Sequence, residues 1–568
     1  MKNKAWLILI AISTLSCMPF AAQAAAPSIE PPSKETIAEA RKIIAKMRAN
    51  ARGPYSHLQW VCKDGAVLPP KAGACTPHGG GHQYAKFSPL RERLAKLGFP
   101  VGTIYVALDR GVQAPDTRPF QRLRDLPFEQ YLVDIDDGWV LHKALGYRGR
   151  LQIEDEQQFG RELLLEVISD PQRTASDLLL LRELAKVVPH AGAGQDPTRE
   201  IRRLSQVLAE KNPKFEPLRA EIHGKPTQPT FARVKAWQSK NPLKGEQKAL
   251  LDNLVVELDG IFGEAGVEKR LASLAALFEK SDPDLAALVV SPQENRLAKS
   301  GKILSSVRKK FDASRDNPKM ALVYLDAMTT LEAEIIAAVR SEPAPRDRAG
   351  ALKHAGFLAQ ATTDLGWISP TEGQKLTDPI ESLHEMLSHG GSSLSPASYS
   401  EIIKNLQLAP AWAQGIVRHT FAEPLSKYTA LDPRSARFVD DLLRGSILQP
   451  LSEITESLAR DDSNLSGREA RLMGKTVNAI ALNPGQAEGV LRVLEADGNG
   501  HLPAYEPDDV VVIPNTTSEL FPAAGIVTVG EGNPLSHIQI LARNLGIPNI
   551  VIDNALRQDL KALSLIHI

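Results

Sequence analysis

Apolar residues recur at helical spacing through the long middle of the chain, from about residue 156 to residue 472. Charged residues separate them, as on helices that bury one face and expose the other. Breaks with proline or glycine near residues 189–197, 223–229, 342–349 and 390–396 divide this region into bundles. The clearest apolar faces are Leu250, Leu251, Leu254, Val255, Leu258 and Ile261, and Met328, Leu331, Ile335 and Val339. We therefore predict a mainly α-helical middle, residues 156–472, that serves first as a scaffold.

Residues 25–155, which precede this region, contain short apolar runs separated by Asp and Gly. The runs at 101–106, 131–133 and 139–141 are rich in β-branched side chains, which is typical of strands. This pattern predicts a small mixed α/β domain at the N-terminus.

A different pattern appears near the C-terminus. The apolar run 526–529 predicts a short buried strand, and the Gly- and Pro-bearing residues 530–534 predict a loop. Ile538, Leu541 and Leu545 then recur at helical spacing. We expect a strand, a loop and a helix in that order.

The ends of this helix carry recognisable signals. Ser536 is a candidate N-cap, and Gly546 before Pro548 is a common helix ending. His537 is therefore predicted at the helix N-terminus, where unpaired backbone N–H groups favour an anion. Its imidazole has an ordinary pKa of about 6.5, so near neutrality it can attack phosphorus with a ring nitrogen. The alternative is that His537 only caps or packs the helix.

Several motifs around His537 occur together. Ser536-His537 is followed by an apolar helix with Arg543, and then by Leu-Gly-Ile-Pro and an apolar strand within 545–552. Upstream, residues 483–493 are Asn-Pro-Gly-Gln-Ala-Glu-Gly-Val-Leu-Arg-Val, and residues 509–517 are Asp-Val-Val-Val-Ile-Pro-Asn-Thr-Thr. Together, residues 483–562 resemble the phosphohistidine swivelling domain of the PEP-utilising enzymes. That group includes phosphoenolpyruvate synthase, pyruvate phosphate dikinase and the glucan water dikinases.

The resemblance implies an α/β domain in which His537 is the transient phosphate carrier. It also implies that Arg543 and Ser536 contact the phosphate or substrate, that ATP and Mg²⁺ take part, and that the acceptor is a small molecule such as pyruvate or a glucan. The phosphoenolpyruvate synthase branch usually has Gly-Gly and Thr before its Ser-His or Cys-His pair, whereas this chain has Gly-Asn-Pro-Leu at 532–535. The segment is more similar to the water dikinase branch, so the acceptor stays open.

In these families an ATP-grasp domain supplies the donor site, and its glycine-rich loop is not recognisable in residues 25–482.

The last six residues, 563–568, lack continuity with the swivelling domain and match the in-frame reading of a sequencing-transposon end. We expect a non-native tail there, with native sequence ending near Ala562 and an ATP-binding domain following. An ordinary apolar C-terminal strand is the alternative.

Residues 1–24 have the features of a secretory signal peptide: Lys2 and Lys4, an apolar run at 5–17, and Ala-Gln-Ala before the expected cleavage point. We expect an exported protein, periplasmic or secreted. The alternative is a lipoprotein that carries its lipid on Cys17.

No later segment reaches the roughly 20 apolar residues of a helical membrane span. With 67 basic and 67 acidic residues, the sequence gives no electrostatic support for binding nucleic acid.

Beyond the signal peptide the chain has two cysteines, Cys62 and Cys75. In an oxidising compartment this favours a disulfide. The alternative is a zinc site, because Cys62, Cys75, His78 and His82 are ligand types that zinc accepts.

These features predict a multidomain α+β protein with a small mixed N-terminal domain, a long helical middle and a C-terminal α/β swivelling domain. The leading interpretation is a fragment of an exported dikinase-type phosphotransferase, inactive without its donor domain, whose swivelling hinge lies near residues 473–484. The alternative is a non-enzymatic helical scaffold or interaction protein that carries a degenerate swivelling domain.

Overall fold

The computed structural model describes residues 31–565 apart from two long stretches, 100–122 and 136–159, and shorter gaps. The shorter gaps are residues 51, 70, 72, 172, 189, 191–196, 225–227, 263, 280, 292–294, 342–344, 346, 389–393, 466–469, 473–474, 478, 484, 496–501, 515–519, 530–534, 536 and 553–555. The described part is mainly helical, with a small mixed sheet near the C-terminus.

The N-terminal part combines helices with a small antiparallel sheet. Its elements are α1 (Lys34–Ala49), β1 (Tyr55–Cys62), β2 (Val67–Leu68), β3 (Gly81–Phe87), α2 (Pro89–Lys96) and α3 (Asp125–Ile135). The strand order is β2-β1-β3. Buried residues of α1 and α3, such as Met47 and Phe128, belong to the same apolar core as the helices that follow.

Helix α3 corrects one sequence prediction. Residues 131–133 are helical, not extended. Phe128 and Leu132 are buried four residues apart, which is helical spacing, and the apolar run considered alone was too short to show this period. The other predicted strands, 101–106 and 139–141, lie outside the described residues.

Helices make up most of the middle region. A first stretch covers residues 160–168. The helices that follow are α4 (Leu178–Val187), α5 (Pro197–Lys211), α6 (Glu216–Gly224), α7 (Gln228–Lys240), α8 (Gly245–Phe262), α9 (Glu264–Glu279), α10 (Pro283–Val290), α11 (Arg296–Ala313), α12 (Pro318–Ser341), α13 (Arg348–Asp364), α14 (Pro370–Ser388), α15 (Pro396–Thr420), α16 (Ala422–Leu431), α17 (Phe438–Arg444) and α18 (Leu448–Leu465). The described residues of the predicted middle are therefore mainly helical from residue 160 to residue 465, whereas residues 470–472, at its predicted end, are strand.

The two predicted apolar faces are buried as expected. On α8, Leu254 and Leu258 are fully buried, within a small separate core built by α5 to α8. On α12, Met328, Leu331 and Ile335 are fully buried in the large core. Burying a Leu or Ile side chain contributes about 1.5–3 kcal/mol, so these faces drive the packing.

A buried ion pair crosses the large core. Glu332 on α12 contacts Arg182 on α4, and the two side chains are 6% and 0% exposed. The other carboxylate oxygen, Oε1, accepts hydrogen bonds from Trp367 Nε1 at 2.9 Å and from the Ile447 backbone N–H at 3.3 Å. Burial alone would raise the pKa of Glu332, but the positive charges of Arg182 and Lys186 lower it below the ordinary value. One carboxylate therefore joins four parts of the helical region.

A second buried pair joins His190 to α12. His190 Nδ1 lies 2.8 Å from the Val188 carbonyl oxygen, and Nε2 lies 2.9 Å from Asp326 Oδ1. A carbonyl and a carboxylate are both acceptors, so this geometry favours a proton on each ring nitrogen, which is the charged form of the imidazole. Burial lowers the pKa of His190, but the hydrogen bond and charge of Asp326 outweigh burial and leave it raised.

The C-terminal part is a mixed sheet with a helix on each face. A small hairpin, β4 (Ala470–Leu472) and β5 (Lys475–Val477), precedes it. The sheet strands are β6 (Ala479–Asn483), β7 (Val490–Val493), β8 (Asp509–Pro514), β9 (Gly525–Val529) and β10 (Asn549–Ile552), and the helices are α19 (His537–Asn544) and α20 (Leu556–Leu565). The strand order is β6-β10-β9-β8-β7; β7 to β10 run parallel and β6 runs antiparallel to β10.

Side chains alternate between the two faces of this sheet, as strand geometry requires. Val511 and Ile526 pack with α19 on one face, whereas Val512 and Val527 pack with Leu560 of α20 on the other.

Strand β6 corrects part of the predicted hinge at 473–484. Residues 479–483 pair with β10 and belong to the sheet, so the hinge prediction is wrong for these five residues. Helix α20 continues past Ala562 to Leu565.

Among the residues that the structure describes, none of the helices combines the length and apolar character needed to cross a membrane.

We predict that Glu332→Gln destabilises the protein strongly, because it leaves the Arg182 guanidinium buried without its counter-charge. The expected loss in the free energy of unfolding is about 3–5 kcal/mol, measured by urea denaturation. Glu39→Gln is the matched control, since Glu39 pairs with Arg93 on the surface with side chains 41% and 54% exposed, and it should change the free energy of unfolding far less than Glu332→Gln does. Similar losses for the two variants would contradict the role given to Glu332.

The His190–Asp326 pair predicts a pH dependence of stability. Because the folded-state pKa is raised above the unfolded value of about 6.5, the stabilisation is complete below that pH and is lost as pH rises through the folded pKa. Denaturation curves between pH 6 and pH 9 should therefore show a fall in unfolding free energy that is absent from His190→Gln. His419→Gln changes an exposed histidine and should still show the fall in unfolding free energy. If His190→Gln shows the same pH dependence as wild type, the His190–Asp326 pair does not cause it.

Candidate functional site

The candidate site lies where the chain, after strand β9, enters helix α19. All five residues of β9 are buried, and the chain passes from it through α19 to the parallel strand β10. The predicted strand and helix are both confirmed, and His537 is the first residue of α19. In a parallel sheet this connection places the N-terminus of the helix at the carboxyl edge of the strands, the edge at which ligands bind in such folds.

The predicted end of α19 is also confirmed. Gly546 adopts a left-handed backbone conformation, with φ of 67°, which glycine tolerates best. Its N–H donates to the Arg543 carbonyl at 3.1 Å, and the Ile547 N–H donates to the Ala542 carbonyl at 2.9 Å. These bonds satisfy the last carbonyls of the helix and direct the chain into β10.

Three buried polar side chains attach α19 to the sheet. Gln539, Thr528 and Asn549 are at most 3% exposed. Gln539 Nε2 donates to Thr528 Oγ1 at 3.0 Å, and Asn549 Nδ2 donates to Gln539 Oε1. Thr528 belongs to β9 and Asn549 to β10, so this network sets the position of the helix that begins at His537.

Sequence reasoning missed this network. The available signal was the presence of Thr528 inside the apolar run of β9 and of Asn549 at the start of β10. A polar residue within a buried run needs a buried partner, but spacing alone does not identify Gln539 as that partner.

The other predicted site residues on this segment have different surroundings. Ser536 lies outside the described residues. Arg543 lies in the last turn of α19, about 9 Å along the helix axis from the first residue. Burial lowers the pKa of Arg543, and the charge of Asp440 on α17 partly offsets that effect. The structure thus gives Arg543 a neighbour on the helical region.

Cys62 and Cys75 form a disulfide at the tip of the N-terminal hairpin, with 5.3 Å between the Cα atoms. A Cβ on Gly81 would lie 2.5 Å from Cys75 Sγ, so only glycine fits beside the bond. His78 Nδ1 lies 2.6 Å from Asp64 Oδ2, and His82 is on β3, opposite Val61. No group of three or more His, Cys, Asp or Glu residues suited to a metal occurs in the described part of the chain.

Comparison with known proteins identifies the C-terminal segment. Residues 505–567 match the family model described as "PEP-utilising enzyme, mobile domain". The match contains β8, β9, α19 and β10, and therefore His537 and the network that positions its helix. The match ends at residue 567 and so includes most of residues 563–568. The non-native origin of those six residues stays a prediction. No curated protein and no solved structure matches the chain.

We predict that Gln539→Leu loosens the attachment of α19, because buried Thr528 and Asn549 each lose the hydrogen bond that joins them to this helix. The C-terminal domain should lose about 1–3 kcal/mol of stability, measured by amide hydrogen exchange of β9 and β10. Gln558→Leu is the matched control, because Gln558 is an exposed residue of α20. Equal exchange rates in wild type and Gln539→Leu would contradict the positioning role.

Proposed function

We propose that His537 carries a phosphoryl group between a donor and an acceptor, as part of a phosphotransferase. One observation carries this proposal: His537 begins a helix at the carboxyl edge of a parallel sheet, inside the segment that matches the mobile domain of PEP-utilising enzymes. That family is one of phosphohistidine-carrying enzymes.

The chemistry follows from an imidazole at a helix N-terminus. A ring nitrogen uses its free electron pair to form a bond to phosphorus. The phosphorus–oxygen bond of the donor breaks at the same time, and the leaving oxygen keeps the electron pair of that broken bond. The second ring nitrogen releases its proton to solvent. The first-turn amides of α19 and Ser536 would hold the phosphate oxygens. An acceptor oxygen then attacks phosphorus, and the electron pair of the phosphorus–nitrogen bond returns to the ring.

The identity of the donor is a finer part of the proposal. The resemblance points to ATP with Mg²⁺, bound by an ATP-grasp domain, and to pyruvate or a glucan as acceptor, which makes the complete enzyme a dikinase. Mg²⁺ would neutralise charge on the transferring phosphoryl group. The same proposal includes export, supported by the basic start and apolar run of residues 1–24.

Labelling tests the proposal directly. We expect this chain, together with the proposed ATP-grasp donor domain and incubated with Mg²⁺ and with β-labelled ATP, γ-labelled ATP or labelled phosphoenolpyruvate, to acquire an acid-labile, base-stable label from at least one donor. His537→Ala should reduce it to background. His419→Ala removes another helical histidine, one that is exposed, and should leave the label unchanged.

A second reagent separates the carrier from the donor site. Phosphoramidate phosphorylates imidazole without a protein donor site, and mass spectrometry locates the added phosphate. Modification of His537 by phosphoramidate, with none from the nucleotide or phosphoenolpyruvate, would mean that the donor site lies on another domain or protein. If no reagent labels His537 in the folded chain, the carrier role is wrong and the scaffold alternative becomes the better account.

A further inference from the structure

The residue two positions before His537 is buried in another part of the molecule. Leu535 is 1% exposed, and it belongs to the large apolar core of the helical region. The neighbouring apolar residues of α19, Ile538 and Ala542, pack in the core of their own sheet. Leu535 is therefore anchored on the helical scaffold, whereas α19 itself is anchored on the sheet.

The other end of α19 also faces the helical region. Arg543 in its last turn lies close enough to Asp440 of α17 for the charge of each to shift the pKa of the other. Asp440 is 5% exposed, and its Oδ1 has no hydrogen-bond partner among the described residues. Burial raises the pKa of Asp440 to about 6, against the opposing charges of Arg444, Arg418 and Arg543. A carboxylate that is buried in this way needs nearby positive charge, and Arg543 supplies part of it from the mobile domain.

We infer that Leu535 and Arg543 form a two-point latch that holds the mobile domain against the helical region, with Leu535 in its large core and Arg543 beside Asp440 of α17. Leu535 supplies an apolar anchor before the helix, and Arg543 supplies a charged contact with Asp440 after it. The helical region is then the docking partner of the histidine-bearing helix, and α19 leaves it only when both contacts break. The latch goes beyond the carrier role, and its test needs no phosphoryl transfer.

Hydrogen exchange across the contact tests the latch. In the full chain, Leu535→Ala should raise amide exchange in α17, the helix that carries Asp440, by at least about tenfold, because loss of the apolar anchor also weakens the contact of Arg543. Leu545→Ala is the matched control, because Leu545 follows α19 closely but is 48% exposed, and it should leave α17 within about twofold of wild type. Far-UV circular dichroism confirms that each variant is folded.

Charge variants provide the second test. Asp440→Asn and Arg543→Gln should each increase exchange in both α17 and α19, and the double variant should add little beyond either single change. Arg543→Lys keeps the charge and should retain most of the protection. Unchanged exchange in α17 for both Leu535→Ala and Asp440→Asn would overturn the latch, as would an equal response to Leu545→Ala.

The same variants distinguish the latch from a phosphate-binding role of Arg543. If Arg543 acts through Asp440, Asp440→Asn and Arg543→Gln should change the rate of His537 phosphorylation by phosphoramidate in the same direction. If Arg543 instead holds the phosphate, Arg543→Gln alone should lower the yield or lifetime of phosphohistidine, and the latch assignment of Arg543 fails. If His537 is not labelled at all, the proposed role of His537 as a phosphoryl carrier fails. The hydrogen-exchange experiment still tests the latch in that case.

Discussion

The helical region depends on one buried carboxylate. Glu332 accepts hydrogen bonds from the indole of Trp367 and the backbone of Ile447 and pairs with Arg182, so parts of the chain more than a hundred residues apart meet at two oxygen atoms. A charge in a low-dielectric interior is stable only when its partners are in place. The arrangement is therefore cooperative: moving α4 or α18 removes a partner from a charge that water cannot reach.

The same carboxylate influences the position of the C-terminal domain. Ile447 lies at the corner between α17 and α18, and α17 carries Asp440, which faces Arg543. Helix α18 leads on through a short hairpin to β6, the edge strand beside β10. Glu332 thus bonds to the backbone between α17, which carries Asp440, and α18, which precedes the C-terminal strands. The helical region is more than a spacer, because it determines where the histidine helix lies at rest.

Local signals made much of this architecture predictable from sequence. The buried strand β9, the start of α19 at His537 and its end at Gly546 each follow from a few adjacent residues. Strand β6, the Gln539 network and the Arg182–Glu332 pair depend on partners distant in the chain, and spacing does not reveal such partners. Helix α3 was mistaken for strand because three apolar residues do not distinguish a period of 3.6 from a period of 2. Leu535 was unremarkable as a loop residue, and only the tertiary structure shows which core it enters.

The strength of the latch decides whether the mobile domain can move. Burial of one leucine contributes about 1.5–3 kcal/mol, and an ion contact of a partly exposed arginine adds up to about 1 kcal/mol. A total of a few kcal/mol corresponds to an undocked population of about 0.1–10%. Such a contact gives the histidine helix a defined resting place and still allows release on a catalytic timescale. An interface as large and apolar as the helical core would hold α19 permanently, so a carrier domain benefits from an anchor of one leucine and one charge.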